Sequence, residues 1–388
     1  MKTITIKKIE NKFFLKIIYI IALAAMLEPD VCKTNLYIHS MFTIMRIIIG
    51  GVSFLLFIRE KKIPVSIITF VPFIVIQFIS LVLNGVPFST YLGEWILEIC
   101  SIFFFSYMLH KNNKEFVENV YILFWIYVVI NLLYMICNPW SNEYDASGFL
   151  GGKNAFGPIA ITILMITFIK LQYEVISKKK RVKLGVLIGF VIIENLWLGS
   201  STSIIGMLCM LLLYVCLKGI PSNKKIFKGL YIAQWGLFCA IVLFRIQEIF
   251  ASLILRLFNK NASLTGRTML WDSAMELIKE RWLLGYGTNE IVSVTNSWNV
   301  TRVTAAHNGI LDLLVMGGVL LLVVYEIYAI ASAIHSENRC NRCVQICIIA
   351  WFSFRVLLLA EYYFMSAYFI LIITTLHYSH RFDFEREG

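Results

Sequence analysis

The sequence predicts an all-α polytopic membrane protein with about 12 transmembrane helices and one large extracytoplasmic loop, and three observations carry the prediction. Hydrophobic residues make up 59% of the chain and charged residues 15%, where a soluble chain carries about 25% charged, and the mean hydropathy is +0.75. Apolar runs close to the ~20 residues needed to cross a bilayer recur along the whole length. Lys and Arg alternate in abundance between successive connections, as the positive-inside rule demands. A soluble enzyme, a secreted module and a nucleic-acid-binding domain are excluded on this composition, and the net charge of +11 is a statement about topology.

Taken in order, the apolar runs are 13–27, 41–58, 64–83, 91–109, 116–137, 155–173, 183–199, 203–217, 229–246, 306–333, 344–360 and 362–379. The first follows Lys7, Lys8 and Lys12 and ends at Glu28-Pro29-Asp30 with no small-residue cleavage site, which makes it a retained span rather than a signal peptide. With the N-terminus inside, 23 of the 35 Lys and Arg fall on the inner side, nine on the outer side and three within spans. The short connections show the contrast best: Lys178-Lys179-Lys180-Arg181 lies inside, whereas the turns at 84–90 and 200–202 carry no positive charge. Both termini are then cytoplasmic. The map divides the chain into nine spans over 1–246, a large extracytoplasmic loop over 247–305, and three spans with a tail over 306–388. The nine Cys show no paired framework, so structural disulfides are not expected.

The long loop is not structureless. Apolar residues at 270, 271, 274, 277 and 278 have helical spacing, with Thr265 as a cap and Gly285 as a stop. The spacing predicts an amphipathic helix lying along the outer membrane surface. Ionisable residues in and beside the spans (Arg46, Glu94, Glu98, Glu194, Arg245, His307, Asp312, Arg355 and Glu361) fall toward the outer ends, and Glu326 alone falls clearly in an inner half. One reading is interfacial snorkelling or helix-joining ion pairs. The other is a polar cavity open to the outside, which the shared depth favours over a midplane carrier site.

Basic residues outside cannot be positive-inside anchors. Arg267 opens the loop helix, Arg302 precedes His307 by five residues, and Arg46 lies about a turn inside its span. A guanidinium presents a fixed fork of donors suited to phosphate oxygens, and a helix N-terminus adds unpaired N–H groups. An anion joined to an apolar tail, such as a polyprenyl pyrophosphate, satisfies both that chemistry and the membrane setting.

The segments Gly266-Arg267-Thr268-Met269-Leu270-Trp271, Leu284-Gly285-Tyr286-Gly287-Thr288 and Ala306-His307-Asn308-Gly309-Ile310-Leu311-Asp312, followed by Met316-Gly317-Gly318, resemble the large outer loop and following span of the O-antigen ligase / Wzy-type polysaccharide polymerase superfamily. Gly151-Gly152-Lys153-Asn154-Ala155-Phe156-Gly157 is similar to its Gly/Asn motif, and Leu198-Gly199-Ser200-Ser201-Thr202-Ser203 stands where the family has a Ser-rich turn that often holds an Arg, absent here. The close match covers 266–318.

The resemblance implies a GT-C-like, metal-independent glycosyltransferase of the bacterial cytoplasmic membrane, without cofactor. It would polymerise undecaprenyl-pyrophosphate-linked repeat units into a capsule or O-antigen-type polysaccharide. Arg267 would bind the donor pyrophosphate and His307 would serve as base, with Arg46, Arg302, Lys153, Asn154 and Asn308 as further substrate contacts. A flippase and a chain-length regulator of the same pathway are the partners it implies. A ligase moving finished glycan to another acceptor, or a flippase, remains an alternative reading. At residue level, His307 could instead cap its span, and Arg267 could form a surface pair with Asp272 or Glu276. His335 with Cys340, Cys343 and Cys347 makes a poor zinc set, having one CxxC without a second half.

Overall fold

The computed structural model describes residues 2–61, 63–140, 146–173, 178–220, 223–249, 267–295, 301–336, 341–361 and 365–382. Its helices are α1 (Lys2–Met26), α2 (Asp30–Lys33), α3 (Leu36–Arg59), α4 (Val65–Leu83), α5 (Ser89–Cys137), α6 (Phe156–Tyr173), α7 (Lys178–Leu198), α8 (Ser201–Cys216), α9 (Asn223–Phe238), α10 (Arg267–Glu280), α11 (Gly309–Ser336), α12 (Arg342–Leu357) and α13 (Ala367–Tyr378). Each apolar run of the sequence coincides with helix. Among the described residues, five helices are long and apolar enough to cross a membrane. The fold is an all-α polytopic membrane protein.

Two runs, 91–109 and 116–137, share the single 49-residue α5, which unbroken would reach about 74 Å, far beyond one bilayer. Asn112 breaks it, with φ −157° and ψ 90°, and its side chain accepts the Glu115 N–H (3.1 Å) to start the second half. The bundle centre is α6, α12 and α13, which pack on one another, with α5, α8 and α11 around them. Their side chains are buried almost throughout, including Trp351, Phe354 and Phe369. By contrast α3 leaves Ile44, Val52 and Leu55 exposed (57%, 51% and 63%), as a lipid-facing helix must.

α11 contains a break that the sequence does not announce. Gly318 has φ +66° and ψ −164°, so the run read as one continuous span is a short helix, 309–317, followed by 319–336. The break is where the loop motifs interlock. The Tyr286 and Gly287 N–H groups donate to Val315 and Met316 carbonyls (both 2.8 Å), and Val319 N–H donates to Trp282 (2.8 Å). Ser80 Oγ, near the end of α4, donates to Met316 C=O (2.9 Å) and also to Leu284 C=O. A Cβ on Gly318 would strike the Leu283 backbone, and one on Gly285 the Val315 carbonyl. Both sites require glycine for φ and for space.

Beyond the break, eight residues or about 12 Å along the helix from Gly318, Glu326 meets Arg355 (2.5 Å). Gln234 accepts from Arg355 Nε (2.8 Å), so the buried charge is shared among three helices.

Candidate active site

α10 begins at Arg267 and buries Thr268, Trp271 and Ala274, one face at helical spacing, against α11 and its neighbours. The loop helix is therefore docked on protein rather than lying bare on a membrane surface. Thr265 and Gly266 fall outside the described residues. The Arg267 guanidinium does not reach Asp272 or Glu276 in the described contacts. Asp272 is taken by Arg245, and Arg267 Nη2 meets Glu361 Oε1 at 3.0 Å. Glu361 is 1% exposed and Arg267 16%, so this pair is partly shielded from water.

Glu361 links Arg267 to the Ser-rich turn. Thr202 Oγ1 donates to the same Oε1 (2.9 Å), the Ser200 and Thr202 hydroxyls are 3.0 Å apart, and Ser200 Oγ donates to Asn154 Oδ1 (2.9 Å). Ser203 Oγ donates to the Lys153 carbonyl (3.1 Å). Gly157, at the start of α6, allows this approach, since a Cβ there would press on Ser203. The two motifs around 151–157 and 198–203 are thus joined to Arg267 through one carboxylate. The hairpin of β1 (Ser147–Gly148) and β2 (Gly151–Gly152) precedes Lys153, and Asn131 accepts the Leu150 N–H within it (2.9 Å).

His307 is held by a different device on the same stretch of chain. Its φ is +53°, a left-handed value uncommon outside glycine. The Asp312 carboxylate accepts the N–H groups on either side, from Ala306 (2.8 Å) and Asn308 (3.2 Å). Asn308 Oδ1 caps α11 by accepting from Ile310 and Leu311 (both 3.1 Å), and its Nδ2 donates to Leu359 C=O (2.8 Å). Gly309 N–H donates to Leu358 C=O (2.8 Å). Residues 358–361 therefore anchor both the His307 loop and Arg267.

The remaining expected site residues divide. Arg46 faces a cavity of about 450 Å³ beside this group; its fork donates to Ala25 C=O (3.1 and 3.0 Å) and lies 3.8 Å from Glu28. Ala305, two residues before His307, lines the same cavity. Arg302 lies on β4 (Thr301–Thr304), opposite Val294 of β3 (Val292–Thr295), and its side chain is outside the described residues. Asn308 is fully buried with its side chain engaged in the three bonds above, and its placement is that of a helix cap. His335 stacks on His377 (4.1 Å between centroids), and Cys340 lies outside the described residues.

Sequence reasoning missed three contributors. Glu361 and Asp312 are visible only as ionisable residues near span ends, and Thr202 only as part of a turn lacking the expected Arg. The β3–β4 hairpin was also missed, although Ile291-Val292-Ser293-Val294-Thr295 and Thr301-Arg302-Val303-Thr304 are β-branched, alternating runs.

The comparison with curated proteins finds no match. Residues 184–325 match the family model described as O-antigen ligase, a stretch that holds the Ser-rich turn, Arg267, the Gly-Tyr-Gly turn, His307 and Asp312, and stops short of Glu361. Over residues 184–325 this membrane protein is therefore similar to the O-antigen ligase family, which supports the handling of lipid-linked glycans.

Proposed function

We propose that the protein polymerises polyprenyl-pyrophosphate-linked oligosaccharide repeat units on the extracytoplasmic face of a bacterial cytoplasmic membrane. The observation that carries the reading is that one segment, 358–361, anchors Arg267 through Glu361 and the residues that follow His307, Asn308 and Gly309, through Leu359 and Leu358. In this reaction an acceptor hydroxyl oxygen forms a bond to the anomeric carbon of the donor sugar, and the bond from that carbon to the pyrophosphate oxygen breaks. His307 accepts the hydroxyl proton, a role that an imidazole side chain commonly fills. Arg267 receives the negative charge that develops on the departing pyrophosphate, a task a guanidinium performs in a partly dry site without a metal ion. Glu361 and Thr202 keep the guanidinium pointed before donor arrives. Lys153 and Asn154, joined to the same network, and Arg46 and Arg302 supply further contacts to the lipid-linked substrate.

The experiment is reconstitution in vesicles with the lipid-linked repeat unit as both donor and acceptor, in the presence of a chelator. Polymerisation yields longer glycan on lipid and releases polyprenyl pyrophosphate. Movement of intact substrate across the membrane without bond change would indicate a flippase, and product only after a foreign acceptor is added would indicate a ligase.

A further inference from the structure

At the end of α12 away from Glu361, the bundle carries cations with no acid to meet. From Asn195 to Gln247 the chain holds Lys218, Lys224, Lys225, Lys228 and Arg245 and no Asp or Glu. The four lysines are exposed, and no ion pair among the described residues reaches them. Lys218 lines a recess of about 170 Å³ with Ile220, Asn223, Asn341, Arg342 and Gln345, none of them acidic, and Lys224 and Lys225 follow Asn223 directly. The recess is built by side chains that tie three helix ends together. Arg342 donates to the Tyr214 and Leu217 carbonyls (3.0 and 3.1 Å) and lies over the Tyr214 ring (5.0 Å to its centroid). Gln345 Nε2 donates to Leu217 and Ile220 C=O (2.7 and 3.0 Å), and Asn223 Nδ2 to Asn341 C=O (3.3 Å). Carbonyl dipoles fix the Arg342 guanidinium in place without cancelling its charge.

An apolar track leads to the same place. α8 and α9 both pack on α12 and scarcely on each other, which leaves a groove between them with α12 as its floor. Ile205, Leu208, Leu212 and Val215 are exposed along α8 at three- and four-residue spacing, and Lys218 follows three residues on. An apolar stripe that ends in uncompensated cations, on the side that the Lys and Arg asymmetry assigns to the cytoplasm, matches an amphiphile with an anionic head. A zwitterionic lipid brings its own cation to the recess and gains less. We propose that the recess and the adjoining groove bind one anionic phospholipid of the cytoplasmic leaflet. Its phosphate lies against Lys218 and Arg342, Lys224 and Lys225 add charge at the rim, and an acyl chain runs along α8. The site depends on none of the transfer chemistry.

The test is native mass spectrometry of the purified full-length protein in a nonionic detergent, titrated with phosphatidylglycerol or with phosphatidylcholine of the same acyl chains. Phosphatidylglycerol should bind about tenfold more tightly. Glycerol 3-phosphate, the head chemistry without the chains, should neither match that affinity nor displace the lipid. The triple variant Lys218→Gln, Lys224→Gln, Lys225→Gln leaves Arg342 and its carbonyl contacts intact, and it should lose most of the preference while keeping a monodisperse gel-filtration peak. Positive-inside topology is served by lysines anywhere on this face, so the control is the separate cluster Lys178→Gln, Lys179→Gln, Lys180→Gln, which should keep the preference. Equal binding of the two lipids, an unchanged preference in the first variant, an equal loss in the control, or displacement by glycerol 3-phosphate overturns the proposal.

Discussion

Arg267 and Glu361 are separated by 94 residues in sequence and meet at 3.0 Å, with the carboxylate almost wholly buried and also held by Thr202. The pair explains how a cation on a long loop is given a fixed direction. The loop helix begins at Arg267, its buried face docks it on the bundle, and Glu361 at the end of the α12 segment orients the guanidinium. In the proposed reaction a departing pyrophosphate would compete with Glu361 for the same fork, which would make the carboxylate a positioning residue that yields to the incoming anion.

Glu361→Gln retains shape and a hydrogen-bond acceptor but loses the charge. Polymer synthesis should fall about tenfold, reflecting loss of one charge-assisted contact, while membrane protein level stays near wild type. The check is initial rate against donor concentration: a positioning role lowers kcat. A wild-type rate would remove Glu361 from the account.

Asp312→Asn leaves one acceptor oxygen where the native carboxylate serves the N–H groups of both Ala306 and Asn308. His307 then relaxes from its left-handed backbone position, and activity should drop about tenfold or more with expression retained. Asp312→Ala leaves two N–H groups in a buried place without partners and should also lower the melting temperature.

The interlocking glycines are a stability device. Gly318→Ala forces a side chain into left-handed backbone and into the Leu283 backbone, so it should cost about 2 kcal/mol or more. Gly51→Ala, in α3 with open space around it, should be neutral or stabilise by up to about 1 kcal/mol. Thermal unfolding of the detergent-purified proteins separates the two.

Breaking the buried Arg355–Glu326 pair from one side strands a charge inside the bundle. Arg355→Met should destabilise by about 3–5 kcal/mol, and adding Glu326→Leu should recover most of that loss. An uncorrected double variant would show that the pair is retained for more than charge balance.

The all-α membrane fold was legible because hydropathy and Lys/Arg asymmetry act over whole segments, and small errors at a boundary do not alter them. The α5 run was divided correctly into two segments for the same reason, with Asn112 lying between them. What a linear pattern does not register is contact across the fold. The alternative reading paired Arg267 with Asp272 or Glu276, yet Arg245 arrives from before the loop and takes the Asp272 carboxylate. Glu361 lies 94 residues away, so nothing local predicts its partner. The break at Gly318 depends on the Leu283 and Leu284 backbone pressing on α11, a contact from a distant loop. Asn308 entered as a substrate contact through the resemblance, whereas its position before Gly309 also fits a helix cap.

The central claim, that Arg267 and His307 perform the reaction, is tested most directly by polymer amount and length from cells carrying Arg267→Ala, Arg267→Lys or His307→Ala, normalised to protein in the membrane. Each should lose about a hundredfold or more in rate, roughly 3 kcal/mol, with normal insertion, and Arg267→Lys should fail because a point charge does not reproduce a forked contact. Lys279→Ala, an exposed positive charge on the same loop helix, should leave polymer unchanged. Wild-type polymer from the Arg267 and His307 variants would contradict the account.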